Sequence, residues 1–135
     1  MPVEIIYIKI IGAAVASVIL GFLWYHPRVF GALWMRGARI TPEMTERGKR
    51  RGYLYTFVAF LGSAMAAYVL YSLLVLLQIS EIMPALALAF VVWTGFTATT
   101  SLGIVLWEQR ALSQYVINTL YWLVVFSAMS VILVL

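Results

Sequence analysis

Gly21-Phe22-Leu23-Trp24-Tyr25-His26-Pro27-Arg28-Val29-Phe30-Gly31-Ala32-Leu33-Trp34-Met35 is the stretch in which an apolar segment gives way to a basic one. Trp and Tyr concentrate where hydrocarbon meets headgroups, and a residue before proline is pushed out of the helical region, so the His26-Pro27 step discourages continuation of the preceding helix. Arg28, Arg36 and Arg39 follow within about three helical turns. These marks identify the cytoplasmic exit of a first transmembrane helix, and the rest of the chain is laid out from it in both directions.

The 135 residues are 64% hydrophobic and 10% charged, with a mean hydropathy of +1.01. A water-soluble domain of this size cannot hide that much apolar surface in one core, so the solvent is lipid. The chain has no cysteine, no aspartate and a single histidine. That composition excludes a disulfide framework and a thiol redox centre and leaves too few ligands for a metal cluster within one chain; no metal or other cofactor is expected. The net charge of +4 could suggest nucleic acid, but Arg28, Arg36, Arg39, Arg47, Lys49, Arg50 and Arg51 all fall in one segment between two apolar blocks. This is a topology pattern: a solvated loop that anchors orientation and meets anionic lipid headgroups, with no nucleic-acid partner.

The expected fold is all-α, an integral membrane four-helix bundle in a single domain, 1–135, with spans at roughly 5–25, 53–77, 84–107 and 115–135 and a basic loop over 26–52. Ala14-Val15-Ala16 could pass for a signal-peptidase site, but Lys9 interrupts the short apolar run before it and the basic cluster follows it, so the first block reads as a retained helix. In the loop, Val29, Phe30, Leu33 and Trp34 fall on one side of a helix and Arg28, Arg36 and Arg39 on the other, which predicts a short amphipathic helix in the interface. Thr41-Pro42-Glu43 then carries the marks of a helix start: a capping hydroxyl, proline at the first position and an acid at the positive end of the dipole. Small residues recur at helical spacing in the first three spans, at Gly12 and Ala16, at Ala13, Ser17 and Gly21, at Gly62 and Ala66, and at Gly95 and Gly103. Such stripes let another helix approach closely and predict packing faces.

Two groups of polar residues remain. Thr94, Thr97 and Ser101 share one face of the third span, where hydroxyls ordinarily bond the carbonyl one turn back, and less often line a permeation path. If the helices alternate in direction, His26, Glu108, Asn118 and Tyr121 come to one membrane face, with Asn118, Tyr121 and Trp122 at spacings of three and four. An amide a turn inside hydrocarbon must find partners, so Asn118 is expected to fix helix packing or line a polar cavity, within what is otherwise an aromatic belt.

Gly21-xx-Trp24-Tyr25-His26-Pro27-xx-Phe30-Gly31-xx-Trp34, the Thr41-Pro42-Glu43 turn and Ile117-Asn118-xx-Tyr121 together resemble a family of small bacterial four-helix membrane proteins, domain of unknown function seventeen sixty-one. The resemblance covers essentially the whole chain. It implies a four-helix membrane fold and supplies no activity, cofactor or catalytic residue. Other four-helix families fit less well: small multidrug exporters rely on a carboxylate deep in the first helix, which here carries only Lys9 as an interior charge, and quinone-linked disulfide enzymes need cysteines.

The expected function is therefore non-enzymatic: a homo-oligomer of the inner membrane that passes a small solute or ion, or serves as a structural or accessory subunit. The alternative is a small enzyme acting on a lipid or quinone at the cytoplasmic face, with His26 as acid or base and Glu108 as its partner. The basic loop holds seven Lys and Arg, the turn after the third span holds Arg110 and the turn near Glu81 holds none, which places both termini outside the cytoplasm. Because the chain lacks cysteine, a membrane-impermeant maleimide should label the Ser80→Cys variant in intact cells and the Thr45→Cys variant only after permeabilisation. Equal labelling of both from outside would overturn the orientation.

Overall fold

The computed structural model describes residues 2–135, and no strand occurs among them. Four segments are long and apolar enough to cross a membrane: Val3–Trp24, Gly52–Leu76, Ile82–Leu106 and Leu112–Val134. At about 1.5 Å per residue each exceeds the roughly 30 Å of a hydrocarbon core. The first is α1 (Val3–Trp24), the second α4 (Gly52–Leu76) and the fourth α7 (Leu112–Val134). The third is discontinuous, with α5 (Ile82–Trp93) and α6 (Gly103–Leu106) joined through a π-helical turn, Thr94–Ala98, and a 3-10 turn, Thr100–Leu102. Between α1 and α4 lie α2 (Ala32–Gly37) and α3 (Pro42–Arg50).

The central helix is α7, packed against α1 on one side and α5 on the other, while α4 packs chiefly on α1 and touches α5 little beyond their connection. Its exposed residues form one stripe, Leu112, Val116, Leu120 and Val124, each four from the next. The core is made of Val125, Met129 and Leu133 from α7, Ile10 and Ala13 from α1, Ala67, Leu70 and Leu74 from α4, and Ala85 from α5. The contacts are built on small residues: Ala13, Ala14, Ala67, Ala85 and Ala89 are fully buried. In lipid there is little hydrophobic drive between apolar helices, so close approach and the dispersion it provides hold them together.

Of the two stripes on α1, the one that packs is Ala13, Ser17 and Gly21. Gly12 is exposed and Ala16 half-buried. A side chain added at Gly12, Gly62 or Gly95 would meet nothing within 4 Å, so these three glycines are not packing positions inside this chain. Gly103 would reach only Trp107, at 3.6 Å, and Ala66 is half-buried. The closely packed glycines are Gly21, Gly31 and Gly37.

The segment after α1 forms a π-helical turn and the short helix α2, which packs against the bundle. His26 takes an extended conformation before Pro27, ending α1, and the chain re-enters helix through a π-helical turn, Pro27–Gly31, closed by the Gly31 N–H on the His26 carbonyl at 3.0 Å. A Cβ on Gly31 would overlap the Tyr25 carbonyl oxygen, which is why glycine stands there. The following α2 docks on the start of α7: a Cβ on Gly37 would stand 3.0 Å from Ser113 Oγ and 3.2 Å from the Gln114 Cβ. Thr41 Oγ1 accepts from the Met44 N–H at 3.2 Å and opens α3. Arg39, Gln78 and Gln109 have φ of 56°, 55° and 54° and turn the chain left-handedly just after α2, α4 and α6.

Hydroxyls crowd the break in the third span: Thr94, Thr99 and Thr100 donate to the carbonyls of Phe90, Gly95 and Phe96, four residues back, as Ser72 and Ser127 do in the unbroken α4 and α7. In thermal unfolding in detergent, Gly31→Ala should destabilise by about 3 kcal/mol or more. Gly12→Ala should be neutral or stabilising by up to about 1 kcal/mol, because it replaces a helical glycine facing open space.

Candidate functional site

The polar groups inside the bundle collect on the face that α1 presents to α7. The Tyr121 hydroxyl donates to the Ser17 carbonyl at 2.8 Å and lies 3.3 Å from Ser17 Oγ, which is 2.9 Å from Ser63 Oγ on α4. Gly21 makes room for this phenol: a Cβ there would stand 3.1 Å from the Tyr121 oxygen. Nearer the basic end, the Tyr25 hydroxyl donates to Asn118 Oδ1 at 2.7 Å. Ser17 lies eight residues before Tyr25, about 12 Å deeper along the helix, so the network runs inward from the end of the bundle.

Aromatic rings surround it. Tyr25 stands 5.3 Å from Tyr121 and 5.5 Å from Trp34, and Tyr121 stands 5.3 Å from Trp122, all tilted or edge-on as ring quadrupoles prefer. Phe30 of the π-helical turn packs 4.6 Å from Trp24, and the Trp24 indole N–H donates to the Ile117 carbonyl at 3.0 Å. On the opposite side of α7, Trp93 donates to the Thr119 carbonyl and Tyr115 to the Ala98 carbonyl, tying the third span to the central helix. At the base of α2, Trp34 Nε1 and Gln114 Oε1 are buried without a partner. Beside the network a cleft of about 530 Å³ opens between α1, α4 and α7, with Tyr55, Thr56, Ala59 and Gly62 forming its α4 wall.

Of the four residues expected to converge, the structure joins Asn118 and Tyr121 to this network and leaves His26 and Glu108 outside it. His26 is exposed, and its Nδ1 accepts the Arg28 N–H at 3.1 Å, so the ring caps the π-helical turn. Glu108 is exposed too, and among the described residues the ion pair present is Lys49–Glu46 at 3.8 Å. The left-handed turn at Gln109 explains this: it directs Arg110 back to the Ala38 carbonyl at 3.0 Å, while Arg39 donates to the Gln109 carbonyl at 3.1 Å. The two loops are thus clamped by arginines on carbonyls, with no carboxylate in the bond.

The expected face of Thr94, Thr97 and Ser101 is interrupted. Thr94 is exposed and bonds its own helix, Thr97 and Ser101 are half-buried, and the π and 3-10 turns between them break the four-residue register. The seven basic residues also divide. Arg39 serves the clamp and Lys49 pairs with Glu46, Arg28 and Arg36 are exposed, and Arg47, Arg50 and Arg51 line one hollow. Tyr25 and Ser63, central to the network, were not marked as site residues by pattern alone. Tyr25 reads as one more belt aromatic and Ser63 as one more small residue, and only their partners distinguish them.

No group of three His, Cys, Asp or Glu that could hold a metal occurs among the described residues. The network offers hydroxyls and one amide, groups that orient and hold, in place of an acid-base pair.

These features define a multi-pass α-helical membrane protein with an aromatic and hydroxyl network between its first and central helices. The profile of a family described as "Protein of unknown function (DUF1761)" matches residues 8–134, and the chain belongs to that family. No curated protein and no solved structure matches it.

Asn118→Leu strands the Tyr25 hydroxyl and should lower stability by about 1–2 kcal/mol. Tyr25→Phe should cost a similar amount, and the double variant clearly less than the sum, because both changes remove one bond. Glu108→Gln should leave the unfolding midpoint in detergent unchanged; full additivity of the pair would argue that the bond carries no stability.

Proposed function

We propose that the protein is a non-enzymatic subunit of the bacterial inner membrane that assembles with further copies of itself and acts as a structural or accessory component, with both termini outside the cytoplasm. The observation that carries this reading is that the hydroxyls and the amide of the network bond one another. Tyr25 is bonded to Asn118, Tyr121 to Ser17 and Ser17 to Ser63, and Thr94, Thr99 and Thr100 of the third span are turned to their own backbone. Groups satisfied by one another are poor binders of a passing solute.

The orientation draws support from the clamp, which gathers the basic loop and Arg110 at one end of the bundle. Assembly draws support from unfilled surface. An apolar groove of about 610 Å³ lies between α4 and the third span, with Gly62 and Phe96 on its walls and Phe126 of α7 lining it, and Gly12, Gly62 and Gly95 leave open space where a helix could approach. The enzyme alternative loses its acid-base pair, since His26 and Glu108 are exposed and make no bond to each other.

The mass in mild detergent and in native lipid should be a multiple of the chain's, and Gly62→Leu should reduce it to the monomer while helix content and unfolding midpoint are retained. Vesicles carrying the protein should release ions and dyes no faster than empty ones. A monomer in both media would sink the assembly. Flux that is lost in the Thr97→Val variant would instead establish a pathway, and turnover of lipid in the same vesicles an enzyme.

A further inference from the structure

We propose that Arg47, Arg50 and Arg51, together with the furrow between α1 and α4, form a site for one anionic phospholipid, its phosphate on the arginines and an acyl chain in the furrow. The proposal rests on the membrane-embedded fold and not on the oligomer, so it stands or falls apart from the function proposed above.

Arg51, with φ −113° and ψ 16°, breaks the helix between α3 and α4 and brings the three guanidinium groups around one corner, where they alone line a hollow of about 400 Å³. Like charges three and four residues apart repel one another, and no carboxylate lines the hollow to offset them. An anion relieves the repulsion, and guanidinium groups suit a phosphate because their N–H forks meet two oxygens at once.

What makes the occupant a lipid is the surface that continues from this corner. Gly52 follows Arg51 directly, and open space stands where its side chain would be. From there a furrow of about 700 Å³ runs between the helices as far as Phe60, walled by Val15, Ile19, Phe22 and Phe57. Eight residues from Gly52 to Phe60 span about 12 Å along the helix axis. Charge at the headgroup level and an apolar channel leading from it match a phosphate ester with an attached chain, and a free phosphate would use only the first half. Of the other basic residues of the two loops, Arg39 and Arg110 bond carbonyls, Lys49 pairs with Glu46, and Arg28 and Arg36 are exposed outside this hollow, so this corner is where three guanidinium groups share one space.

The test is native mass spectrometry of the full chain released from micelles holding equal amounts of phosphatidylglycerol and phosphatidylcholine. Wild type should retain one phosphatidylglycerol in preference. Arg47→Gln/Arg50→Gln/Arg51→Gln should weaken that retention by about fivefold for each arginine removed, whereas the charge-matched Arg28→Gln/Arg36→Gln/Lys49→Gln should keep it. Ile19→Trp, which fills the furrow at an exposed position and leaves every charge in place, should also lower retention. Equal loss in the two triple variants would overturn the proposal in favour of diffuse attraction. So would displacement of the lipid by inorganic phosphate at matched concentration, or full retention in the Ile19→Trp variant, since either would mean that the furrow holds no chain.

Discussion

A polar group held in hydrocarbon must be bonded within the protein, and the bond that most constrains this bundle is the one from the Tyr121 hydroxyl to the carbonyl of Ser17. A side-chain donor reaching a helical carbonyl requires α7 and α1 to lie close along that stretch. Gly21 supplies the space, and Ala13 and Ala14 keep the two helices close farther along. Once α1 and α7 are in register, Ser17 meets Ser63 and sets the position of α4, and the Trp24 indole finds the Ile117 carbonyl. The third span is tied from the other side by Trp93 and Tyr115. The central position of α7 thus follows from donors that neighbouring elements direct at it and from its own two tyrosines.

The second organising device is the compact connection at the basic end. The extended conformation of His26, the π-helical turn and the absence of a side chain at Gly31 reverse the chain within a few residues, so that α2 returns onto the start of α7. That return places Phe30 on Trp24 and Trp34 on Tyr25, covering the network from its open end. The Arg39 and Arg110 clamp fastens the two loops carbonyl by carbonyl, which satisfies backbone groups freed by the left-handed turns. One consequence is a division of the positive charge into arginines that bond carbonyls of the fold and arginines that stay exposed.

The candidate site was legible in part. Asn118 and Tyr121 stand out because an amide and a phenol on an apolar helix demand partners, and the structure supplies them in Tyr25 and Ser17. Ser17 stands out only as a member of a packing stripe and Ser63 not at all, since a serine among alanines and glycines fits such a stripe as well as a hydrogen-bond network. His26 and Glu108 were drawn into the cluster by lying at the same end of the bundle. Being at the same end sets only the level of a residue, and the direction of each side chain is decided by turns whose φ and ψ leave little trace in composition. Gln109 is a case in point: nothing in its neighbours announces the left-handed conformation that sends Arg110 to Ala38.

The amino-acid sequence by itself determined the number of spans, their approximate ends and the concentration of charge at one end, because each of these is a sum over many residues against a single solvent. Transfer into lipid is decided residue by residue, so it can be read without knowing any neighbour. The choice between the Gly12–Ala16 stripe and the Ala13–Ser17–Gly21 stripe on α1 is of another kind. Both have the right period, both are small, and which one packs depends on whether a partner helix offers a phenol and a serine at matching heights. Only the tertiary structure decided that, as it decided that the third span passes through π and 3-10 turns and that three arginines of seven share one hollow. Such outcomes are pairwise and geometric, and a helical period specifies a face without naming what will meet it.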